Sequence, residues 1–203
     1  MIHIVPSIAS ADQLKIYESI KLVESMGTLH LDIEDGNFSP DITFGMDMAE
    51  QIAANTSACL DAHLMVSHPL HFIEPLAKIG VQKIAVHLES TEYPSQCLEQ
   101  IHHFGCQAGL ALNYKTPVSS IEPYLEQIDY LLLQSGEAGD PALAFKTYTL
   151  KKIREAKRLF TGMKIDLWVD GGINNSMLKE LETLGVDYAV MGRAVFQKAK
   201  VTL

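Results

Sequence analysis

The run Leu29-His30-Leu31-Asp32-Ile33-Glu34-Asp35-Gly36 alternates apolar and polar side chains on a two-residue period. In an extended strand successive side chains point to opposite faces, so His30, Asp32 and Glu34 share one face while Leu31 and Ile33 share the other. The apolar face suits packed helices, and the polar face must then meet something that uses imidazole and carboxylate. A His and an Asp two residues apart on one strand both reach one divalent cation, since imidazole nitrogen and carboxylate oxygen are direct ligands for zinc-like metals. A hydrogen-bonded His-Asp pair inside a barrel explains the same stretch without a metal.

Working outward, the same grammar repeats. Strand-like runs at 2–5, 59–65, 83–87, 107–112, 130–134, 165–169 and 188–191 alternate with helical patterns near 47–55, 93–104, 150–160 and 176–184. Ser10 stands three residues before Gln13, a capping-box spacing, ahead of a helix that Gly27 ends. Pro69 opens a helix that Gly80 ends, and Thr116-Pro117 has the chemistry of a helix start. Eight strands each followed by a helix predict right-handed βα units and a closed (β/α)₈ TIM barrel, with one domain over residues 1–203. An open doubly wound sheet is the competing α/β architecture. The barrel is favoured because the second, third and seventh strands each carry polar residues on one face, which suits the mouth of a closed interior. Only seven residues follow Phe196, so the eighth helix is abbreviated or completed by a neighbouring subunit, and a homo-oligomer is expected.

Composition bounds the function. The 203 residues are 47% hydrophobic and 20% charged, as in one globular domain with ample core or at most two small ones. No apolar run reaches membrane-span length, and the N-terminus lacks the order of a signal peptide, so a cytoplasmic protein is expected. Cys59, Cys97 and Cys106 are odd in number without close metal spacing, which favours free thiols. A formal net charge of −9 argues against nucleic acid as a partner. An anionic small substrate therefore needs local backbone or cationic help.

Catalytic groups of such barrels converge at the C-terminal ends of the strands. The candidates are His30 and Asp32, His63 on the third strand beside Asp61 and Met65, and Asp170 at the end of the seventh. Two imidazoles and two carboxylates from three strands form a plausible four-ligand metal site. Gly171-Gly172 and Gly192 end two adjacent strands, where backbone N–H groups can approach a phosphate closely. The pairs His68/His71 and His102/His103 read as surface histidines, and Trp168 as the filling of a barrel layer.

Several strings together resemble the ribulose-phosphate 3-epimerase family: Pro6-Ser7-Ile8-Ala9-Ser10-Ala11-Asp12, Leu29 to Gly36, Ile42-Thr43-Phe44-Gly45, His63-Leu64-Met65, Asn113 with Thr116-Pro117, Val169-Asp170-Gly171-Gly172-Ile173-Asn174, and Gly192 with Phe196. The resemblance runs in register over nearly the whole chain. It implies a ribulose-phosphate-binding barrel that holds one divalent metal ion per chain on His30, Asp32, His63 and Asp170. Zinc is the common metal, with iron, manganese or cobalt as alternatives. The same two aspartates, Asp32 and Asp170, are then the acid and the base. Ser7, Met65, Glu34, Gln134, Gly171, Gly172, Gly192 and Arg193 fall on substrate-binding positions, and the substrate is a small sugar phosphate. The chemistry agrees: inverting a carbon beside a ketone removes a proton from one face and returns one to the other, which two opposed carboxylates can do.

The departures from the family pattern matter equally. Of three methionines placed over the metal only Met65 remains, and Glu34 and Gln134 occupy the other two positions. Glu34 could bind a substrate hydroxyl or a metal, or turn outward to water. The glycine-rich phosphate cover after the sixth strand reads instead Ser135-Gly136-Glu137-Ala138-Gly139-Asp140-Pro141-Ala142-Leu143, and its two acids disfavour a phosphate beside them. Arg193 stands where a small residue is expected, either as a phosphate clamp or as a surface arginine paired with a carboxylate. The leading expectation is an isomerase, a metal-dependent ketose-phosphate 3-epimerase acting on ribulose 5-phosphate or a related ketose phosphate through an enediolate. Barrels that decarboxylate or condense sugar phosphates carry Asp-x-Lys-x-x-Asp on the corresponding strand, and Asp32-Ile33-Glu34-Asp35 has no lysine. The alternative is a sugar-phosphate-binding barrel with little or no turnover.

Overall fold

The computed structural model describes residues 1–137 and 144–199, without the side chains of 197–199. Eight strands alternate with helices: β1 (His3–Pro6), α1 (Ile16–Val23), β2 (Thr28–Glu34), α2 (Met46–Ala54), β3 (Cys59–Met65), α3 (Leu70–Lys78), β4 (Lys83–His87), α4 (Pro94–His103), β5 (Gln107–Leu112), β6 (Tyr130–Gln134), α5 (Tyr148–Leu159), β7 (Asp166–Asp170), α6 (Leu178–Thr183), β8 (Tyr188–Met191) and α7 (Arg193–Ala199). All neighbouring strands are parallel, in the order β1-β8-β7-β6-β5-β4-β3-β2. A parallel bridge between Ser7 and His30 joins the two ends of that order, so the sheet closes into the barrel and the open-sheet alternative falls. The expected abbreviation of the last helix falls partly on residues 200–203, which lie outside the described residues.

The two-residue period sorts the side chains. Leu29, Leu31 and Ile33 of β2 join the large apolar cluster between sheet and helices, while His30 and Asp32 are buried on the opposite, inner face. Inside, Trp168, Tyr130, Leu132, Val5, Ala85, Ala111 and Val190 form a second cluster that plugs the barrel below the polar residues. Trp168 stacks on Tyr188 at 4.2 Å between ring centroids and meets Tyr130 at 5.2 Å, the layer-filling role expected of it. Gly109 on β5 makes room for this plug: a Cβ there would sit 2.3 Å from Cζ of Tyr130.

Two local expectations need correction. Ser10 does not cap the first helix. It ends a 3₁₀ turn, and the Asp12 carboxylate instead accepts the Leu14 N–H at 3.1 Å to cap the next turn, Gln13–Lys15, before α1 begins. After Thr116-Pro117 the chain forms only a 3₁₀ segment, Val118–Tyr124, whose Pro123 removes a donor that a continuing α-helix requires. His68, His71, His102 and His103 are exposed, as expected. Among the described residues no helix is long and apolar enough to cross a membrane.

Candidate metal centre and substrate cavity

β2, β3 and β7 deliver four side chains to one point. Ligand-type atoms of His30, Asp32, His63 and Asp170 all lie within 4.8 Å of one another, the only such group among the described residues. Asp32 Oδ1 is 3.1 Å from His30 Nε2 and 3.2 Å from His63 Nδ1, and Asp170 Oδ2 is 3.9 Å from His63 Nδ1. The remaining Asp32 oxygen accepts the Ser7 hydroxyl at 2.5 Å. Thr43 pins the end of β2: its hydroxyl donates to the Asp32 carbonyl and accepts the Glu34 N–H at 3.0 Å.

Each imidazole is oriented from behind. With His30 Nε2 turned to Asp32, Nδ1–H donates to Asp61 Oδ2 at 2.5 Å, and Asp61 Oδ1 accepts the Tyr130 hydroxyl at 2.7 Å. With His63 Nδ1 turned to Asp32, its Nε2 lies 2.8 Å from Nε2 of His87. Loop geometry is fixed similarly by Asp35, whose carboxylate accepts N–H bonds from Asn37, Phe38 and Ser67. Burial raises the Asp35 pKa, but those N–H donors outweigh it and hold the group down at about 2.

This donor set fits a divalent cation: two imidazoles with their outer nitrogens engaged leave one lone pair each, and two carboxylates supply the compensating charge. The titration behaviour says the same. Burial pushes the Asp170 carboxyl up, the neighbouring Asp32 pushes it further, and it reaches about 6. Burial also opposes charge on Asp32 and His30, yet their mutual attraction wins, so Asp32 is held well below and His30 well above its ordinary range. Below about pH 6 the pair of carboxylates therefore holds a proton that a cation must displace.

A sign follows. An unfolded Asp releases its proton near 3.8 while folded Asp170 keeps it to about 6, so without a cation this group's stabilisation is complete below 3.8. It is lost as pH rises through 6. Cation affinity runs oppositely, because Asp170 and His30 must both deprotonate. Isothermal titration with zinc is expected to show affinity falling at least about tenfold per pH unit below 6, with protons released to the buffer. A flat affinity between pH 5 and 7 removes Asp170 from the ligand set.

Above the four residues opens a cavity of about 530 Å³, and every substrate-binding position expected from the sequence lines it: Ser7, Glu34, Met65, Gln134, Gly171, Gly172, Gly192 and Arg193. Glu34 does not turn outward. It is partly buried, accepts the Ser39 hydroxyl, and its pKa is raised by burial and, more weakly, by Asp32. It stands apart from the metal-type group. Gln134 is buried and donates to Met65 Sδ at 3.3 Å, while its Oε1 has no hydrogen-bond partner among the described residues. Gly171 and Gly172 have φ of 106° and 62°, a left-handed turn that favours glycine. Gly192 is required differently, since a Cβ would meet Ser10 Oγ at 2.0 Å. Arg193 is exposed at the cavity rim. Glu137 also lines the cavity and pairs with Lys115 at 2.9 Å; residues 138–143, including Asp140, lie outside the described residues.

Sequence reasoning missed Tyr130, His87, Glu89 and Asp35. The alternation puts Asp61 on the His63 face but gives it no role, because its bond to Tyr130 spans 69 residues. A lone buried His on β4 was the one local signal for His87.

The architecture is shared with proteins of low sequence similarity. Tryptophan synthase alpha-subunit structures from Pyrococcus furiosus superpose with TM-scores up to 0.74 at 14% identity, one covering 96% of this chain and 89% of its own. That likeness defines the class of fold, a (β/α)₈ barrel. The family model described as the ribulose-phosphate 3 epimerase family matches residues 3–196, and the chain belongs to that family. Proteins named ribulose-phosphate 3-epimerase are similar throughout. The one from Bacillus subtilis is 36% identical, covering 97% of this chain and 93% of its own length. The one from Mycobacterium tuberculosis H37Rv is 32% identical, covering 95% and 85%.

Proposed function

We propose that this isomerase interconverts the C3 epimers of a ketose phosphate, ribulose 5-phosphate with xylulose 5-phosphate or a close pentulose or hexulose relative. The observation that carries the reading is the pair Asp32 and Asp170, delivered from β2 and β7 to one cavity with unlike proton affinities. Environments that push two carboxylates apart assign one as acid and one as base. One carboxylate takes the C3 proton from one face of the substrate, and the other returns a proton to the opposite face. Ser7 holds Asp32 in place through its hydroxyl. His30, Asp32, His63 and Asp170 would hold a divalent cation, zinc by the chemistry of the set, with iron, manganese or cobalt as alternatives. When bound it supplies Lewis-acid stabilisation of charge on the substrate's ketone and neighbouring hydroxyl oxygens, worth several kcal/mol.

The remaining lining residues divide by chemistry. The backbone at Gly171, Gly172 and Gly192 and the guanidinium of Arg193 suit the phosphate. Met65, Gln134 and Glu34 meet the sugar, Glu34 as an acceptor for a hydroxyl. Arg193→Ser is expected to raise KM much more than it lowers kcat, the pattern of lost uniform binding. Steady-state kinetics checks this, and an unchanged KM returns Arg193 to a surface role. The reading itself is tested by following both C3 epimers by NMR across a panel of metal-supplemented ketose phosphates. Equilibration of one pair supports it, and inertness toward all of them overturns it.

A further inference from the structure

Behind His63 runs a line of hydrogen bonds, buried at His87 and reaching the surface beyond Glu89, that the two-carboxylate mechanism does not use. His63 Nε2 is 2.8 Å from His87 Nε2, and His87 Nδ1 is 3.1 Å from Glu89 Oε2. His87 has no exposed surface; its ring lies 4.9 Å from that of His63 and 4.8 Å from that of Phe38. Glu89 Oε1 accepts the Asn113 N–H at 2.8 Å and the Thr116 hydroxyl. The same loop is gripped from beneath by buried Lys152, whose Nζ donates to the carbonyls of Asn113 at 2.7 Å and Tyr114 at 3.2 Å. β4 thus contributes no metal-type ligand, yet its last residue, His87, and Glu89 in the turn that follows stand in series with one.

Proton bookkeeping along this line allows one arrangement. Glu89 is a carboxylate with both oxygens accepting, so His87 Nδ1 must carry the proton that faces it. The reverse tautomer would set a nitrogen lone pair against a carboxylate oxygen in a buried site, a desolvated contact with no hydrogen between the two atoms. A doubly protonated His87 would force His63 Nε2 to accept, and His63 Nδ1–H would then point at Asp32, where a cation needs a lone pair. With Nδ1 protonated, His87 Nε2 is an acceptor, and His63 must donate Nε2–H to it. The lone pair of His63 is then on Nδ1, the atom turned toward Asp32 and Asp170.

We propose that His87 is a positioning residue of the metal centre: oriented by Glu89, it accepts the Nε2 proton of His63 and so presents the Nδ1 lone pair of His63 to a divalent cation. The inference rests on the reading of His30, Asp32, His63 and Asp170 as a metal centre and adds to it a tautomer, a partner and an anchor. His63 and His30 are thereby held by unlike means. His30 leans on a carboxylate, Asp61, whereas His63 leans on an imidazole that a carboxylate orients. The anchor is the Asn113–Thr116 loop, which Glu89 and Lys152 grip from two sides.

The test uses the full chain stripped of metal and titrated with zinc by calorimetry and with cobalt by its visible absorption, alongside ¹⁵N-histidine NMR of the zinc-loaded protein. His87→Phe keeps a ring against Phe38 but removes the acceptor, and its Kd for zinc is expected to rise about 10- to 100-fold. His87→Gln retains a side-chain acceptor and is expected to recover most of that loss, with a cobalt spectrum like wild type. Glu89→Gln leaves His87 in place without its orienting charge and is expected to fall between the two. In wild type, NMR should show His63 protonated at Nε2 and His87 at Nδ1. An unchanged Kd in His87→Phe, equal losses in His87→Phe and His87→Gln, or His63 protonated at Nδ1 overturns the proposal. Should His87→Phe not fold, the wild-type tautomers and Glu89→Gln still decide it. Wild-type protein that binds neither metal overturns the metal centre itself, an outcome seen before any variant is made.

Discussion

Asp170→Asn is expected to lower epimerisation by about 10²- to 10⁴-fold, the usual loss on removing a positioned acid-base group. Slowness alone would not identify the role, because Asn at a ligand position also weakens the cation. The informative result is asymmetry. Asp32 remains in Asp170→Asn and can still exchange the C3 hydrogen of one epimer with solvent, whereas the other epimer stays unlabelled. Asp32→Asn should show the complementary pattern, with the added effect that the Ser7 hydroxyl, which donates to the carboxylate at 2.5 Å, then faces a neutral amide. The measurement is deuterium incorporation into each epimer in heavy water, with metal content determined for each variant. A metal-replete variant that labels both epimers at wild-type rates makes that aspartate a ligand or bystander and ends the two-base mechanism.

The second large effect is structural and begins below the site. Gly109→Ala would place a Cβ 2.3 to 2.7 Å from three ring atoms of Tyr130, which is buried against Trp168. The ring must move, and the Tyr130 hydroxyl is the donor that holds Asp61, itself the partner of His30. Overpacking together with a weakened buried hydrogen bond is expected to cost about 2 to 5 kcal/mol in chemical denaturation. Zinc affinity should fall by about tenfold or more as the brace on His30 loosens. Placing Gly109→Ala in a Tyr130→Leu background should cost much less than the same change in wild type, since the clash is then gone. Equal costs in both backgrounds would mean that the ring is not what Gly109 accommodates.

The site shows where sequence reading succeeds and where it stops. Alternation on β2 was enough to put His30, Asp32 and Glu34 inside and Leu31 and Ile33 outside, because a strand buried on both faces repeats with period two. The same period, with turn residues such as Gly80, Gly105, Gly136 and Gly192 nearby, marks the extents of β4, β5, β6 and β8, and β3 is bounded without a glycine. Helix starts were less legible: Ser10 had the right spacing for a cap, but Asp12 was nearer the turn that formed. The four metal-type residues can be assembled because the alternation turns each of them to the inner face of its strand, toward the C-terminal end of the barrel. Their supports cannot, since Tyr130 reaches Asp61 only across the barrel interior, and Glu89 reaches Asn113 only once β4 and β5 pair. The fate of Glu34 was likewise undecidable until Ser39 was seen to hold it at the cavity.

The central claim is that Asp32 and Asp170 move a C3 proton of a ketose phosphate in a cation-dependent site. Its most direct measurement is deuterium incorporation at C3 by the wild-type chain in heavy water, with ribulose 5-phosphate as substrate, before and after the metal is stripped and zinc restored. The account predicts label at C3 in both epimers, lost on stripping and regained with zinc. Tight binding of the ketose phosphate with no C3 exchange in the zinc-loaded protein would contradict it and leave a binding barrel.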